Sequence, residues 1–346
     1  MSNSQRDSVS RDAYAVLLPA FDSAEFTDES HAFFSRGGVA TLLGCSRKEY
    51  VDRRMSQERQ DYETPKLFRD YTANAKALAG DVLIAVDYEI GGVHRLHRLA
   101  PQLTHPSQAL SMSVEAVEQF GHECGVAALK LGVNFFLSPV VDVVTGPNPW
   151  LRDRTLSSDP WRVASIAGAF IRGVQDTGVA ATAKHFPGHH TVVIDPYDSS
   201  EVVVPGTLDE IAAGFVPFHA AIEQGVKAIM TGPVPVTAID DVEPSSSSAL
   251  IVEKLRAEFG FSGLIVSDDL DLPGTLRGRT IADVAVLSLL AGVELLLLAS
   301  GPQVAEVAQR IVTAVESGEL PRQTLETAAA KIRALAETSA QATKSS

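Results

Sequence analysis

Residues 264–268 read Leu264-Ile265-Val266-Ser267-Asp268, three large apolar side chains that run directly into a hydroxyl and a carboxylate. A strand with one face in water alternates apolar and polar residues, whereas a parallel strand covered on both faces is apolar throughout. Residues 264–267 therefore read as a buried parallel strand that ends where the chain meets solvent. Seven further runs of the same character occur, at 15–18, 39–43, 82–86, 133–137, 180–183, 228–231 and 293–298. The intervals between them are long enough for crossover helices. One follows Ser113, a good N-cap, after which Val117, Phe120, Cys124, Ala127 and Leu131 recur at helical spacing. Another follows the serine cluster at 245–248, which reads as turn and cap.

Eight such units in 346 residues fit an α/β fold of one (β/α)8 TIM barrel better than a doubly wound sheet. Residues 303–317 and 323–337 read as terminal helices that close the wall. No interdomain linker is legible, so a single domain is expected over 13–338, with flexible ends at 1–12 and 339–346. An apolar content of 45% supports a sizeable core, and a net charge of −14 argues against a nucleic-acid partner. Neither of the two cysteines, Cys45 and Cys124, has metal-ligand spacing around it. Cys124 lies on the apolar stripe of its helix and reads as a buried, reduced thiol. Residues 1–11 are polar with no apolar signal core, and no apolar run reaches the roughly 20 residues of a membrane span. A cytoplasmic protein without a membrane partner is the expectation; the oligomeric state is not legible.

In such a barrel the chemistry sits at the C-terminal ends of the strands. Asp87 ends the third expected strand, Asp142 lies past the fourth, Lys184 and His185 end the fifth, and Asp268 ends the seventh. One Asp at a strand end is as readily a cap or a loop brace. Four strands that each end on a polar group at one rim point to a shared pocket. The segment 187–205 is long, irregular and rich in Pro, Asp and Ser, the character of a functional loop. Carboxylates accept hydrogen bonds from sugar hydroxyls and Arg and Lys donate to them. A retaining glycosidase needs one carboxylate as nucleophile and a proton donor across the scissile bond.

These residues carry a family resemblance. Lys184-His185-Phe186-Pro187-Gly188-His189 matches the Lys-His-Phe-Pro-Gly-His signature of family 3 glycoside hydrolases, and Ser267-Asp268-Asp269-Leu270 is similar to their nucleophile segment. Asp87-Tyr88-Glu89 through Val93 and Arg95-Leu96 resembles the family's sugar-binding strand end. Ser138-Pro139-Val140-Val141-Asp142-Val143 and Arg154 with Asp159-Pro160 match two further landmarks. The similarity runs from about residue 18 to the final helices and is closest to the single-domain β-N-acetylglucosaminidase branch. The resemblance implies that Asp268 is the nucleophile and that Asp87, Arg95, Arg154, Lys184 and His185 bind the terminal sugar. His189 is expected to brace the loop. No metal or organic cofactor is implied, since oxocarbenium chemistry needs only charge, protons and orientation.

The chain also departs from the pattern. In that branch the Pro-Gly-His is followed by Gly and then by Asp-Ser-His, whose His is the general acid/base. Here His190 replaces the Gly. An ungapped register sets Asp195-Pro196-Tyr197 opposite Asp-Ser-His, and a three-residue insertion sets Asp198-Ser199-Ser200 there. Neither register supplies the His. The sequence leaves His190, Asp198 and Glu201 as alternative acid/base groups, with Tyr197 less suited because a free phenol holds its proton to about pH 10. Tyr88 for a usual Gln, Ile90-Gly91-Gly92 for Gly-Gly-Arg and Pro233 for a frequent His point to altered recognition. The leading expectation is a retaining exo-glycosidase acting on a β-linked N-acetylhexosaminide or related amino sugar, with a small carbohydrate as its partner. A transglycosidase or phosphorylase would share its first half-reaction. Two other classes compete: a sugar-binding protein that has lost turnover, and a Schiff-base lyase using Lys184.

Overall fold

The computed structural model describes residues 3–345. Eight strands line its interior: β1 (Leu17–Phe21), β2 (Ala40–Leu43), β3 (Leu83–Val86), β4 (Phe135–Phe136), β5 (Ala180–Phe186), β6 (Ala228–Thr231), β7 (Leu264–Val266) and β8 (Leu296–Ala299). All pairings are parallel; each strand from β1 to β6 lies beside its successor, and β8 lies beside β1. The ring closes between β7 and β8, where the Ser267 N–H donates to the Leu295 carbonyl at 2.9 Å and the Glu294 N–H to the Ile265 carbonyl at 2.9 Å. The fold is the (β/α)8 barrel expected from the apolar runs.

The strands differ from their sequence readings in instructive places. β6 occupies the expected residues, whereas β1 starts at Leu17 because Ala15 ends a helix, Asn3–Ala15. β4 is reduced to a pair of phenylalanines. Before it, the Asn134 side chain joins the ladder itself: Nδ2 donates to the Val82 carbonyl at 2.9 Å and Oδ1 accepts the Ile84 N–H at 2.8 Å. β5 continues beyond Ala183 through Phe186, so Lys184 and His185 lie within the strand.

Helices cover the outer face. Val114–Leu131 packs directly on Pro160–Asp176, an approach so close that a Cβ at Gly173 would lie 1.9 Å from the Glu118 carbonyl oxygen. Only glycine fits there. Cys124 is buried in this wall, and both cysteines are free. Gln303–Ser317 forms as read, and the last helix runs Arg322–Ser345. The structure carries helix into both ends that the sequence reading left loose. Val9 and Ala13 of the first helix are buried, and its Asp12 Oδ1 accepts from Arg333 at 2.7 Å. Ala340 of the last helix is buried as well. Residues 1, 2 and 346 lie outside the described residues. Among the described residues no helix is long and apolar enough to cross a membrane.

Candidate active site

The strand ends converge on a cavity of about 240 Å3 that Asp87, Arg154, Lys184, His185 and Asp268 all line. The end of β5 explains how two neighbouring residues reach it. Successive residues of a regular strand point to opposite faces. The β5–β6 register pairs Lys184 with Met230, then skips to Phe186 with Thr231. This irregularity of one residue lets Lys184 and His185 face the cavity together.

Lys184 Nζ lies 2.7 Å from Asp87 Oδ1 and 2.8 Å from Glu89 Oε1. Arg154 forks onto the same Glu89, Nε to Oε2 at 3.0 Å and Nη2 to Oε1 at 2.8 Å, while the Val93 N–H donates to Oε2 at 3.1 Å. Glu89 is thus the hub of the cationic side of the pocket. A Cβ at Gly92 would stand 2.0 Å from Glu89 Oε2, so this turn has no room for a side chain. Burial alone would keep Glu89 protonated, but Arg154 and Lys184 hold its carboxyl well below the usual range. Burial likewise opposes the charge on Lys184, and Asp87 and Glu89 outweigh it, raising the ammonium above its ordinary value. A Schiff-base lysine must be neutral to attack a carbonyl. The surroundings of Lys184 do the opposite.

A second cluster lies behind His185. Asp142 Oδ2 accepts the His185 N–H at 2.9 Å and faces His185 Nδ1 at 2.8 Å; Oδ1 accepts the His189 N–H at 2.8 Å. Burial would push this carboxyl up, yet His185 and His189 hold it far below the carboxylate range. Burial lowers His185, with Asp142 offsetting part of the effect, so the imidazole is neutral at neutral pH. Trp150 packs on the His185 ring at 4.6 Å between centroids. His189 is fully buried, its ring seated where a Cβ at Gly232 would lie 1.9 Å from it.

Asp268 closes the far side. Its N–H donates to Ser246 Oγ at 3.0 Å and its Oδ1 accepts the Asp269 N–H at 2.8 Å. Oδ2 is buried with no hydrogen-bond partner. Beside it, burial and the neighbouring Asp271, Asp268 and Asp87 charges push the Asp269 carboxyl well above its ordinary value, and burial raises Asp271 too.

Four of the candidates do not reach the cavity. Arg95 is buried elsewhere, Nη1 and Nη2 forked onto Glu63 at 2.6 and 2.5 Å, so its guanidinium braces the β2–β3 side and the binding role expected of it is corrected. His190 is half-buried off the cavity wall, its carbonyl accepting the Thr145 and Gly146 N–H groups at 3.1 and 3.2 Å. Asp198 and Glu201 are exposed to solvent. The 187–205 loop instead gives the cavity Asp195 and Tyr197. Sequence reasoning also passed over Glu89, Tyr50 and Trp150. Glu89 was recoverable, because Asp87 and Glu89 stand two apart in extended chain and so share a face; Tyr50 lies on a helix of only six residues, Arg47–Asp52, and Trp150 in a turn, so no periodicity flags either.

The chain is similar to known proteins along most of its length. Residues 23–335 match the family model described as the glycosyl hydrolase family 3 N terminal domain. The chain is 32% identical over 252 residues to a β-hexosaminidase of Methylococcus capsulatus, covering 70% of this chain and 74% of that one. It is 34% identical over 248 residues to the β-hexosaminidase LpqI of Mycobacterium tuberculosis, covering 69% of this chain and 63% of the relative. The solved structure of M. tuberculosis LpqI superposes with a TM-score of 0.81 at 26% identity, over 97% of this chain and 94% of that one. A family 3 β-N-acetylglucosaminidase from a Paenibacillus species shares the fold, with a TM-score of 0.85 at 24% identity over 96% of this chain and 62% of the other. On a match that spans nearly the whole barrel, this chain belongs to glycosyl hydrolase family 3 and is a glycoside hydrolase acting on O-glycosyl bonds.

Proposed function

We propose that the chain removes a terminal β-linked N-acetylhexosamine or a related amino sugar by double displacement, with Asp268 as the nucleophile. The observation that carries this reading is Asp268 Oδ2, a buried carboxylate oxygen on the cavity wall with no donor to blunt it. Its attack on the anomeric carbon forms a glycosyl ester, and water then releases the sugar. Lys184, Asp87 and the unpartnered Arg154 Nη1 are disposed to take sugar hydroxyls on the opposite side. The sugar class rests on the β-hexosaminidase names of the relatives. A cavity of about 240 Å3 suits a single terminal ring, hence exo-action. The proton for the leaving group comes from the 187–205 loop.

The test is a panel of aryl glycosides differing only in the sugar, assayed with and without phosphate, followed by labelling with a 5-fluoro-glycosyl fluoride and peptide mapping. Turnover of the N-acetylhexosaminide and a label on Asp268 are expected; faster turnover with phosphate would assign a phosphorylase instead. A label on another residue removes the mechanism, and silence with every sugar removes the activity. One observation favours a second reading, a sugar-binding protein without turnover: His190, Asp198 and Glu201 all stand off the cavity. That reading requires ligand affinity by calorimetry together with an intact dinitrophenyl glycoside, which needs no acid to depart.

A further inference from the structure

Double displacement needs a second group that gives a proton to the leaving oxygen and takes one from water. The identity of that group rests on the reading of Asp268 as nucleophile. Asp269 and Asp271 also line the cavity, next to Asp268 in the same segment, whereas the proton donor of a double displacement stands across the scissile bond from the nucleophile. The proton must come from a different element. The 187–205 loop offers Asp195 and Tyr197. Both oxygens of Asp195 are engaged: Oδ2 lies 3.4 Å from Arg47 Nη2, and Oδ1 accepts the Tyr197 N–H at 3.0 Å. Asp195 holds the loop in place.

Tyr197 differs in each respect. Its hydroxyl has no protein partner among the described residues, and the side chain is 46% exposed, so water reaches it. The Arg47 guanidinium lies 3.9 Å from the ring centroid. Because the same guanidinium is held by Asp195, the ring is fixed in place at the cavity. The segment is also tied to the nucleophile's loop. Pro196, between the two residues, is buried, and its carbonyl accepts the Gly274 N–H at 2.9 Å, six residues beyond Asp268. Arg277 adds a bond from Nη1 to the Ser200 carbonyl at 2.8 Å. A half-exposed tyrosine is thus anchored from two sides of the cavity.

We propose that Tyr197 is the catalytic acid/base, assisted by Arg47 and positioned by Asp195. In the first step Asp268 Oδ2 bonds to the anomeric carbon as the glycosidic C–O bond breaks, and the Tyr197 proton passes to the leaving oxygen. The products are an alcohol, glycosyl-Asp268 and a tyrosinate beside Arg47. In the second step the tyrosinate takes a proton from water, the resulting oxygen bonds to the anomeric carbon, and Asp268 leaves as carboxylate.

Tyr197→Phe keeps the ring over which Arg47 stacks and removes only the hydroxyl, so the thermal melt should match wild type. On a methyl β-N-acetylhexosaminide the rate should fall about 10²- to 10⁴-fold, the usual worth of a general acid. On the 2,4-dinitrophenyl glycoside the first step should change only a few-fold, and azide should restore turnover with a β-glycosyl azide as product. Arg47→Met, which keeps the hydroxyl, should slow the methyl glycoside more than the dinitrophenyl one. Equal losses on both substrates, wild-type rates on both, or failure of azide to give the glycosyl azide would each overturn the assignment while leaving Asp268 as nucleophile. A wild-type protein that cleaves neither substrate would overturn the proposed activity along with it.

Discussion

His185 presents Nε2 to Asp268 Oδ2 at 3.9 Å, beyond hydrogen-bond reach. The gap follows from the other end of the ring. Asp142, held ionised, faces Nδ1 at 2.8 Å and so fixes the proton there. Burial keeps the imidazole neutral, which leaves Nε2 as a lone pair. His185 therefore cannot donate to Asp268, and under the proposed mechanism this leaves the carboxylate unblunted as a nucleophile and the ring free to accept from a sugar hydroxyl placed between them. Asp142 sets this tautomer.

Asp268→Asn is expected to abolish turnover while leaving the fold intact. An amide is nearly isosteric but far less nucleophilic, and loss of a nucleophile costs on the order of 10⁴-fold or more. Asparagine Oδ1 can still accept the Asp269 N–H, and the buried unpartnered charge at Oδ2 disappears. The melting temperature should stay level or rise. Wild-type rates in a verified, uncontaminated preparation would remove Asp268 from the mechanism.

Lys184→Met should weaken every substrate that carries the same terminal sugar by the same factor, whatever the leaving group. The ammonium lines the cavity in a network with Asp87 and Glu89, and the charge-assisted hydrogen bond proposed for it is worth about 1.5–3 kcal/mol. That corresponds to roughly a 10- to 150-fold loss in kcat/KM. Removing the cation also leaves the buried Glu89 to Arg154 alone and the half-buried Asp87 without its partner, so stability should fall by about 3 kcal/mol. A loss confined to one aglycone would place Lys184 in the outer part of the site.

Arg95→Met separates a brace from a ligand-binding group. Arg95 and Glu63 are both buried, and Glu63, which burial alone would raise, is held at about 2 by His97 and Arg95. Breaking this pair should cost about 3 kcal/mol in denaturant unfolding, the scale of an orphaned buried charge. KM for the glycosides should stay within about twofold once the protein is folded, because a residue that does not touch ligand changes no uniform binding. A selective rise in KM at unchanged stability would restore Arg95 to the binding site.

The barrel was legible because strands buried on both faces leave uninterrupted apolar runs, and polar residues mark where the runs reach the rim. Those two signals located Asp87, Lys184, His185 and Asp268. The errors arose where a side chain or a neighbouring element took over a backbone role. Asn134 replaces part of the ladder before β4, and the first helix absorbs Ala15 from the run expected to be β1. The loop was harder. His190, Asp198 and Glu201 carry suitable chemistry in sequence, but which side chains turn inward depends on tethers such as Arg47 to Asp195 and Pro196 to Gly274. Those join residues far apart in the chain, and no local pattern announces them.

His94 should make the fold acid-sensitive before any carboxylate does. Its ring is buried against Tyr88 with centroids 4.1 Å apart; Nε2 lies 2.9 Å from the Pro101 carbonyl, and Nδ1 has no partner. Burial lowers the imidazole from 6.5 to about 4. The unfolded chain therefore takes up a proton as pH falls through 6.5, while the folded protein resists until about 4. Stability must drop across that window and level off below it, the sign for a base buried in its neutral form. The gap corresponds to roughly 3 kcal/mol from this side chain. His185 is lowered in the same direction, so the comparison has to be a difference. His94→Gln keeps an amide donor for Pro101 but cannot titrate, and urea unfolding at pH 7, 5.5 and 4 should show the variant losing about 3 kcal/mol less than wild type. Parallel pH slopes for the two proteins would mean that His94 takes up its proton as readily in the folded barrel as in the unfolded chain.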